Sequence, residues 1–171
     1  DREILDLPVD LITTLEIPGT VTGSSQPNFG FAVAHYGSNH MTTLRYRIGT
    51  ASVDATEEQF TIGDISFPPG SFIIPTPPES DLSQQLVSWV QELGLTATQL
   101  TERPEVSTHS VDLPRLAIYS TWGDTQEVGW VRHAFDQFEI PFDLIYKDRV
   151  RRGVLRRNYD VILVPNQGNT A

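Results

Sequence analysis

Four histidines, at positions 35, 40, 109 and 133, are the side chains best suited to move protons or hold a transition metal near neutral pH. Their spacing decides whether they do either. None stands in a His-Glu-x-x-His helix or beside a pair of acids at ligand spacing, so no zinc site is written into this stretch. His133 lies within a helical pattern and has no second histidine four residues away, which reads as a structural or solvated side chain. His35 and His40 flank a strand-to-helix turn, the kind of place where α/β sheets meet ligands. Between them Ser38 follows Gly37, but the second glycine of a nucleophile elbow is missing and no acid and histidine follow in triad order. Neither Tyr36-Gly37-Ser38-Asn39 nor Trp122-Gly123-Asp124 has the glycine pattern of a phosphate-cradling loop. The chain has no cysteine, which excludes disulfides, thiolate zinc sites and cysteine nucleophiles together.

Two further groups of residues point to binding rather than bond cleavage. Lys147, Arg149, Arg151, Arg152, Arg156 and Arg157 form a dense basic cluster. It suits an anionic partner, or simply makes an exposed helical surface balanced by acids elsewhere. Trp122 lies in a loop at the carboxyl end of a strand, and Asn166 with Gln167 emerges at the same edge. With Ser38, Asn39 and Asp124 these residues outline a polar crevice at the edge where open α/β sheets place ligands. For Trp122 and Trp130, core packing is the competing reading.

The elements that must position these groups are clearest between Pro114 and Gln167. Arg115 to Tyr119 predicts a strand, and Asp124 with Glu127 predicts a capped helix whose inner face carries Val128, Val131, Phe135 and Phe138. Phe142 to Tyr146 predicts a second strand, Val150 to Tyr159 two helical turns, and Val161 to Val164 a third strand. Strands separated by helices imply parallel pairing. Upstream, Phe29 to His35 predicts a strand. A short helix follows, capped by Ser38 or Asn39, with Met41, Leu44 and Ile48 inside and Gly49 at its end. Val53 to Thr56 is a weak strand, and Phe60 to Ile62 with Ile65 to Phe67 forms a small β excursion. Ser71 to Ile74 predicts another strand, and Ser80 caps a helix using Leu82, Leu86, Val90 and Leu93. Leu95 to Leu100 ends the first half.

These elements predict an α/β fold: a three-layer, open and mostly parallel sheet built from two similar halves. Residues 1–28 read as an arm or linker, with an edge strand at Leu11 to Leu15, and residues 29–171 as the α/β domain. Within it, residues 29–100 form the first half, 101–113 a connector and 114–171 a second half that looks truncated at its carboxyl end. At 171 residues such a domain buries a sizeable core. The net charge of −10 argues against nucleic acid as a partner, and no apolar run approaches the ~20 residues that span a bilayer. The charge is uneven: 15 of 22 acids precede Pro114, whereas 8 of 12 bases follow from it. The start at Asp1 reads as an excised or processed piece.

Several short pieces, taken together, resemble one family. They are Phe67-Pro68-Pro69-Gly70-Ser71-Phe72-Ile73-Ile74-Pro75, Pro114 to Tyr119, Gly129-Trp130, Leu155 to Asp160 and Val161-Ile162-Leu163-Val164-Pro165. From about Phe29 onward the chain resembles the region downstream of the catalytic domain in large bacterial zinc carboxypeptidases of the carboxypeptidase A family. That region is similar to class I glutamine amidotransferase domains and, more broadly, to flavodoxin-like folds. The resemblance implies an upstream peptidase domain that carries the zinc, a peptide substrate, an exported parent protein and a homo-oligomer as one assembly. The family's zinc-binding His-x-x-Glu pair is not in this chain, and the amidotransferase cysteine has no counterpart either. The expectation is therefore a non-catalytic accessory domain without cofactor. Its alternatives are a small-molecule or peptide sensor using the crevice of Ser38, Asn39, Trp122, Asp124 and Asn166, and an enzyme using acids and histidines at that edge.

Overall fold

A computed structural model of the chain describes residues 17–23, 29–77, 80–121 and 126–166. It is mixed α/β and has two sheets of different construction, with a hairpin packed on the first.

The first sheet has six strands: β1 (Thr20–Thr22), β2 (Gly30–Val33), β3 (Asp54–Thr56), β6 (Phe72–Pro75), β7 (Thr96–Leu100) and β8 (Thr108–Ser110). Their order is β1-β7-β2-β6-β3-β8, with the hairpin strands β4 (Phe60–Ile62) and β5 (Ile65–Phe67) apart from them. Helix α1 (His40–Ile48) connects β2 to β3, and helix α2 (Leu82–Glu92) connects β6 to β7. Each helix joins two strands of the same direction, but the strands are not neighbours: antiparallel β6 lies between β2 and β3, and antiparallel β2 between β6 and β7. This interleaving is the split βαβ arrangement of ferredoxin-like folds. It corrects the expectation of a mostly parallel sheet, since β1 with β7 is the one parallel pair recorded in these six strands. Helix-length spacing sets strand direction but not adjacency, because a crossover can leave a slot for a later strand.

Side-chain alternation sorts the core. Phe31, Val33, Phe72 and Ile74 face the helices, where they meet Met41, Leu44, Ile48, Leu86 and Val90. Ala32, Ala34, Ile73 and Leu100 face the other way onto Phe67 and the hairpin, in which the Phe60 and Phe67 rings stack at 4.8 Å. The layers are thus helices, sheet and hairpin. Gly30 is required at the start of β2, opposite the end of β6: a Cβ there would lie 2.0 Å from the Ile74 carbonyl oxygen.

The second sheet is parallel throughout, in the order β10-β9-β11, with β9 (Leu116–Tyr119) between β10 (Asp143–Ile145) and β11 (Val161–Leu163). Helix α3 (Gln126–Gln137) links β9 to β10. Where one two-turn helix was expected, α4 (Lys147–Arg151) and a separate 3₁₀ turn at Leu155–Arg157 lie between β10 and β11. The break is at Gly153 and Val154, both with positive φ. The two sheets are unlike in pairing, so the halves are not copies of one unit.

Several smaller expectations also change. Residues 1–28 include β1, and the connector includes β8, the edge strand that pairs with β3. Ser80 does not cap α2: its hydroxyl donates to the Pro77 carbonyl, and Asp81 occupies the cap position without a side-chain bond. Asn39 likewise makes no capping bond, while Ser38 Oγ accepts from the His40 amide. The edge strand expected at Leu11 to Leu15 and the cap at Asp124 lie outside the described residues.

The two units meet at the outer side of α1. Thr43, which is buried, donates to the Phe138 carbonyl at 3.0 Å. Arg47 forms bidentate pairs with Glu92 at the end of α2 and with Glu139 just past α3. Both partners hold its guanidinium pKa above the usual value, Glu139 contributing most, and Arg47 in turn lowers both carboxylates. Glu139 has φ of +55°, a left-handed conformation costly for a side chain with a Cβ, and its carboxylate is the part that Arg47 grips. Arg45, only 8% exposed, fixes the connector by donating to the Val111 carbonyl at 2.7 Å.

Candidate functional site

In the parallel unit the chain leaves β9, adds β10 on one side, then crosses back to add β11 on the other. The carboxyl ends of β9 and β11 therefore border a topological switch point, where open parallel sheets bind ligands. Ser120 is buried there: its amide bonds to the Ile145 carbonyl and its hydroxyl to the Thr121 carbonyl. Asn166 is exposed three residues past β11, at the same edge. Trp122 and Asp124 lie outside the described residues.

Ser38 and Asn39 do not join this edge. They precede α1, whose His40 ring packs 5.9 Å from the Phe138 ring. Phe138 follows α3, which runs back against the strands, and the chain from there feeds the first residue of β10. That end of α1 therefore borders the amino edge of the parallel sheet, the end opposite to Asn166. Ser38 and His40 instead line a cleft of about 600 Å³ with Pro18 and residues 91–94 at the end of α2. His40 is tied down within it, Nδ1–H donating to the Leu93 carbonyl at 2.8 Å.

The other histidines are scattered. The His35 amide bonds to Ser71 Oγ, His109 faces Glu57 at 3.3 Å on the surface, and exposed His133 stacks edge-on with Trp130. Among the described residues no three His, Asp or Glu side chains are grouped to hold a metal ion.

The feature that residue reading missed is the bareness of the parallel unit. Seven large hydrophobic side chains are exposed among the described residues, and five of them, Trp130, Val150, Val154, Val161 and Val164, belong to this unit. On α3 only Val128 is buried, while Val131 and Phe135, with Phe138 just past its end, remain half-buried. Parallel sheets are ordinarily covered on both faces. Among the described residues β11 is paired on one side only, and Val161 at its start is 44% exposed. The pattern of apolar residues predicts the elements, but whether a neighbour covers them is not a local property of the sequence.

The basic cluster occupies α4 and the 3₁₀ turn. Arg149 is the member drawn inward, donating to the Gly153 carbonyl at 2.9 Å. Arg115, outside the cluster, takes the local acid Asp160 in a bidentate pair, which holds that carboxyl well below the usual range.

No family model matches this chain, and no curated protein or solved structure matches it either. The class that fold and site define is a mixed α/β protein: an interleaved, predominantly antiparallel sheet joined through a charged contact to a three-stranded parallel unit with a bare apolar surface.

Proposed function

We propose that this chain is a non-catalytic accessory domain of a larger, exported zinc metallocarboxypeptidase, which it serves by packing against the catalytic domain, positioning peptide or setting an oligomer. One observation supports the packing role: the uncovered apolar surface formed by Trp130 on α3 and by Val161 and Val164 at β11. Several large apolar side chains left exposed on one unit of a polar chain are the kind of surface that interfaces cover. The peptidase family is supported by the residue resemblance, from Pro114 to Tyr119 and from Leu155 to Pro165. The finer fold reading, a flavodoxin-like or amidotransferase-like sheet, applies to the second unit. It is supported by the order β10-β9-β11, with which flavodoxin-like sheets begin.

The test is co-expression with the zinc-binding domain encoded upstream in the same reading frame, followed by pull-down. Trp130→Ser and Val161→Ser should each release the partner without unfolding this chain. A reading frame with no such domain, or binding that survives both substitutions, overturns the proposal.

A small-molecule or peptide sensor is the second reading, favoured by the switch point between β9 and β11. A thermal shift produced by one peptide or amino acid, and lost in Asn166→Ala, would select it.

A further inference from the structure

Strand β10 and helix α4 border a cleft of about 400 Å³ whose polar lining is Asp143, Tyr146, Asp148, Arg149, Arg152 and Tyr159. It lies on the opposite side of β9 from the switch point, and nothing in the packing role uses it. Two features separate it from ordinary charged surface.

The first is preorganisation. Arg149 spends one of its N–H donors on the Gly153 carbonyl, and its guanidinium carbon stands 5.7 Å from the Tyr159 ring centroid, a cation–π contact. Tyr159 is itself fixed: it is 8% exposed, and its hydroxyl donates to Asp143 Oδ2 at 2.9 Å. Burial, then the Asp143 carboxylate, raises the Tyr159 pKa, so the hydroxyl stays protonated and keeps donating. An arginine held this way loses little freedom on binding.

The second feature is unmatched charge. Residues 147–157 contain six bases and one acid, Asp148. No salt bridge is recorded for Lys147, Arg149, Arg151, Arg152, Arg156 or Arg157 among the described residues, although the chain carries a net charge of −10. Among the described residues these bases are left without ion-pair partners, even though Asp143 and Asp148 line the same cleft.

We propose that this cleft binds the carboxylate of a small molecule or peptide terminus through the guanidinium groups of Arg149 and Arg152. A planar two-oxygen anion matches the guanidinium fork. A monoanion fits better than a phosphate dianion, because Asp143 and Asp148 line the same walls and repel the second charge. The cleft volume is at the small end of ligand pockets, which suits one amino-acid residue rather than a polymer.

The experiment is titration of the full chain with N-acetylglycine, followed by calorimetry and by amide chemical shifts, with N-acetylglycinamide and inorganic phosphate as parallel arms. N-acetylglycine should saturate in the millimolar range, the amide should not bind, and phosphate should bind more weakly. Arg152→Gln, at an exposed position, should weaken binding about tenfold. Arg149→Lys keeps the charge and loses the fork, and it should weaken binding too while leaving the thermal midpoint close to that of the parent. Failure of N-acetylglycine to saturate, equal binding of the amide, tighter binding of phosphate, or unchanged affinity in Arg152→Gln each overturns the assignment. Carboxylate binding with a failed pull-down, or the reverse, tells this inference apart from the packing proposal.

Discussion

Arg47 holds a carboxylate from each of the two units, and replacing it with methionine isolates that role. Methionine keeps the apolar stem and removes the guanidinium, leaving Glu92 and Glu139 near each other without the cation between them. The Arg47 side chain is 18% exposed and that of Glu139 48%, so the pair is screened and its coupling should be about 0.5–1 kcal/mol. A double-mutant cycle over Arg47→Met and Glu139→Gln, read from urea midpoints at pH 7, measures that coupling directly. The sign of the pH dependence follows from the carboxylates. Both have folded-state pKa values below their ordinary one, so their stabilisation is complete above about 4.5, the unfolded value, and is lost as pH falls below it through the folded value. The advantage of the parent over Arg47→Met should therefore shrink between pH 6 and pH 3, and shrink also in 1 M salt. Coupling under about 0.2 kcal/mol, or an advantage that grows on acidification, would refute the idea that this arginine fastens the units together.

Other substitutions probe separate parts of the molecule. Leu86→Ala, at a fully buried position on the inner face of α2, should cost about 2–5 kcal/mol by chemical denaturation. Gly30→Ala forces a Cβ to within 2.0 Å of the Ile74 carbonyl oxygen and should lower the thermal midpoint more than any exposed glycine change, such as Gly37→Ala. Val154 is a β-branched residue held at φ +55° and 68% exposed, so Val154→Asn should stabilise the fold by about 1 kcal/mol in the same assay. Arg115→Gln removes the partner of Asp160. Because that carboxyl is held low in the folded state, the loss should show at neutral pH and vanish as pH falls below the ordinary Asp range, measured as a converging thermal midpoint.

What could be read from the chain alone was what local periodicity encodes. Met41, Leu44 and Ile48, and Leu86, Val90 and Leu93, recur at helical steps, and both helices bury those residues. The apolar strands at residues 30–33, 72–75 and 116–119 were equally clear. Strand adjacency was not, because β2 finds its neighbours at β6 and β7 through pairings that leave no mark on β2 itself. Strands β1 and β8, Thr20–Thr22 and Thr108–Ser110, went unread because each is a three-residue edge strand with at most one apolar side chain, Val21, too short to show alternation. The candidate site divided along the same line. Ser38 and Asn39 precede α1 in the interleaved unit and Asn166 follows β11 in the parallel one, and a strand-to-helix turn carries no mark of which edge it will border. The arginines of residues 147–157 were visible by composition, whereas the ring of Tyr159 beneath Arg149 required three dimensions.

The interleaving of the first sheet constrains the order in which a growing chain can assemble. Strand β2 is central, yet its partners emerge only roughly forty and then sixty-five residues later, so it must wait on the ribosome with both flanks unsatisfied. Chaperone capture during synthesis should accordingly peak before β7 is exposed to solvent and fall once Leu100 has left the exit tunnel.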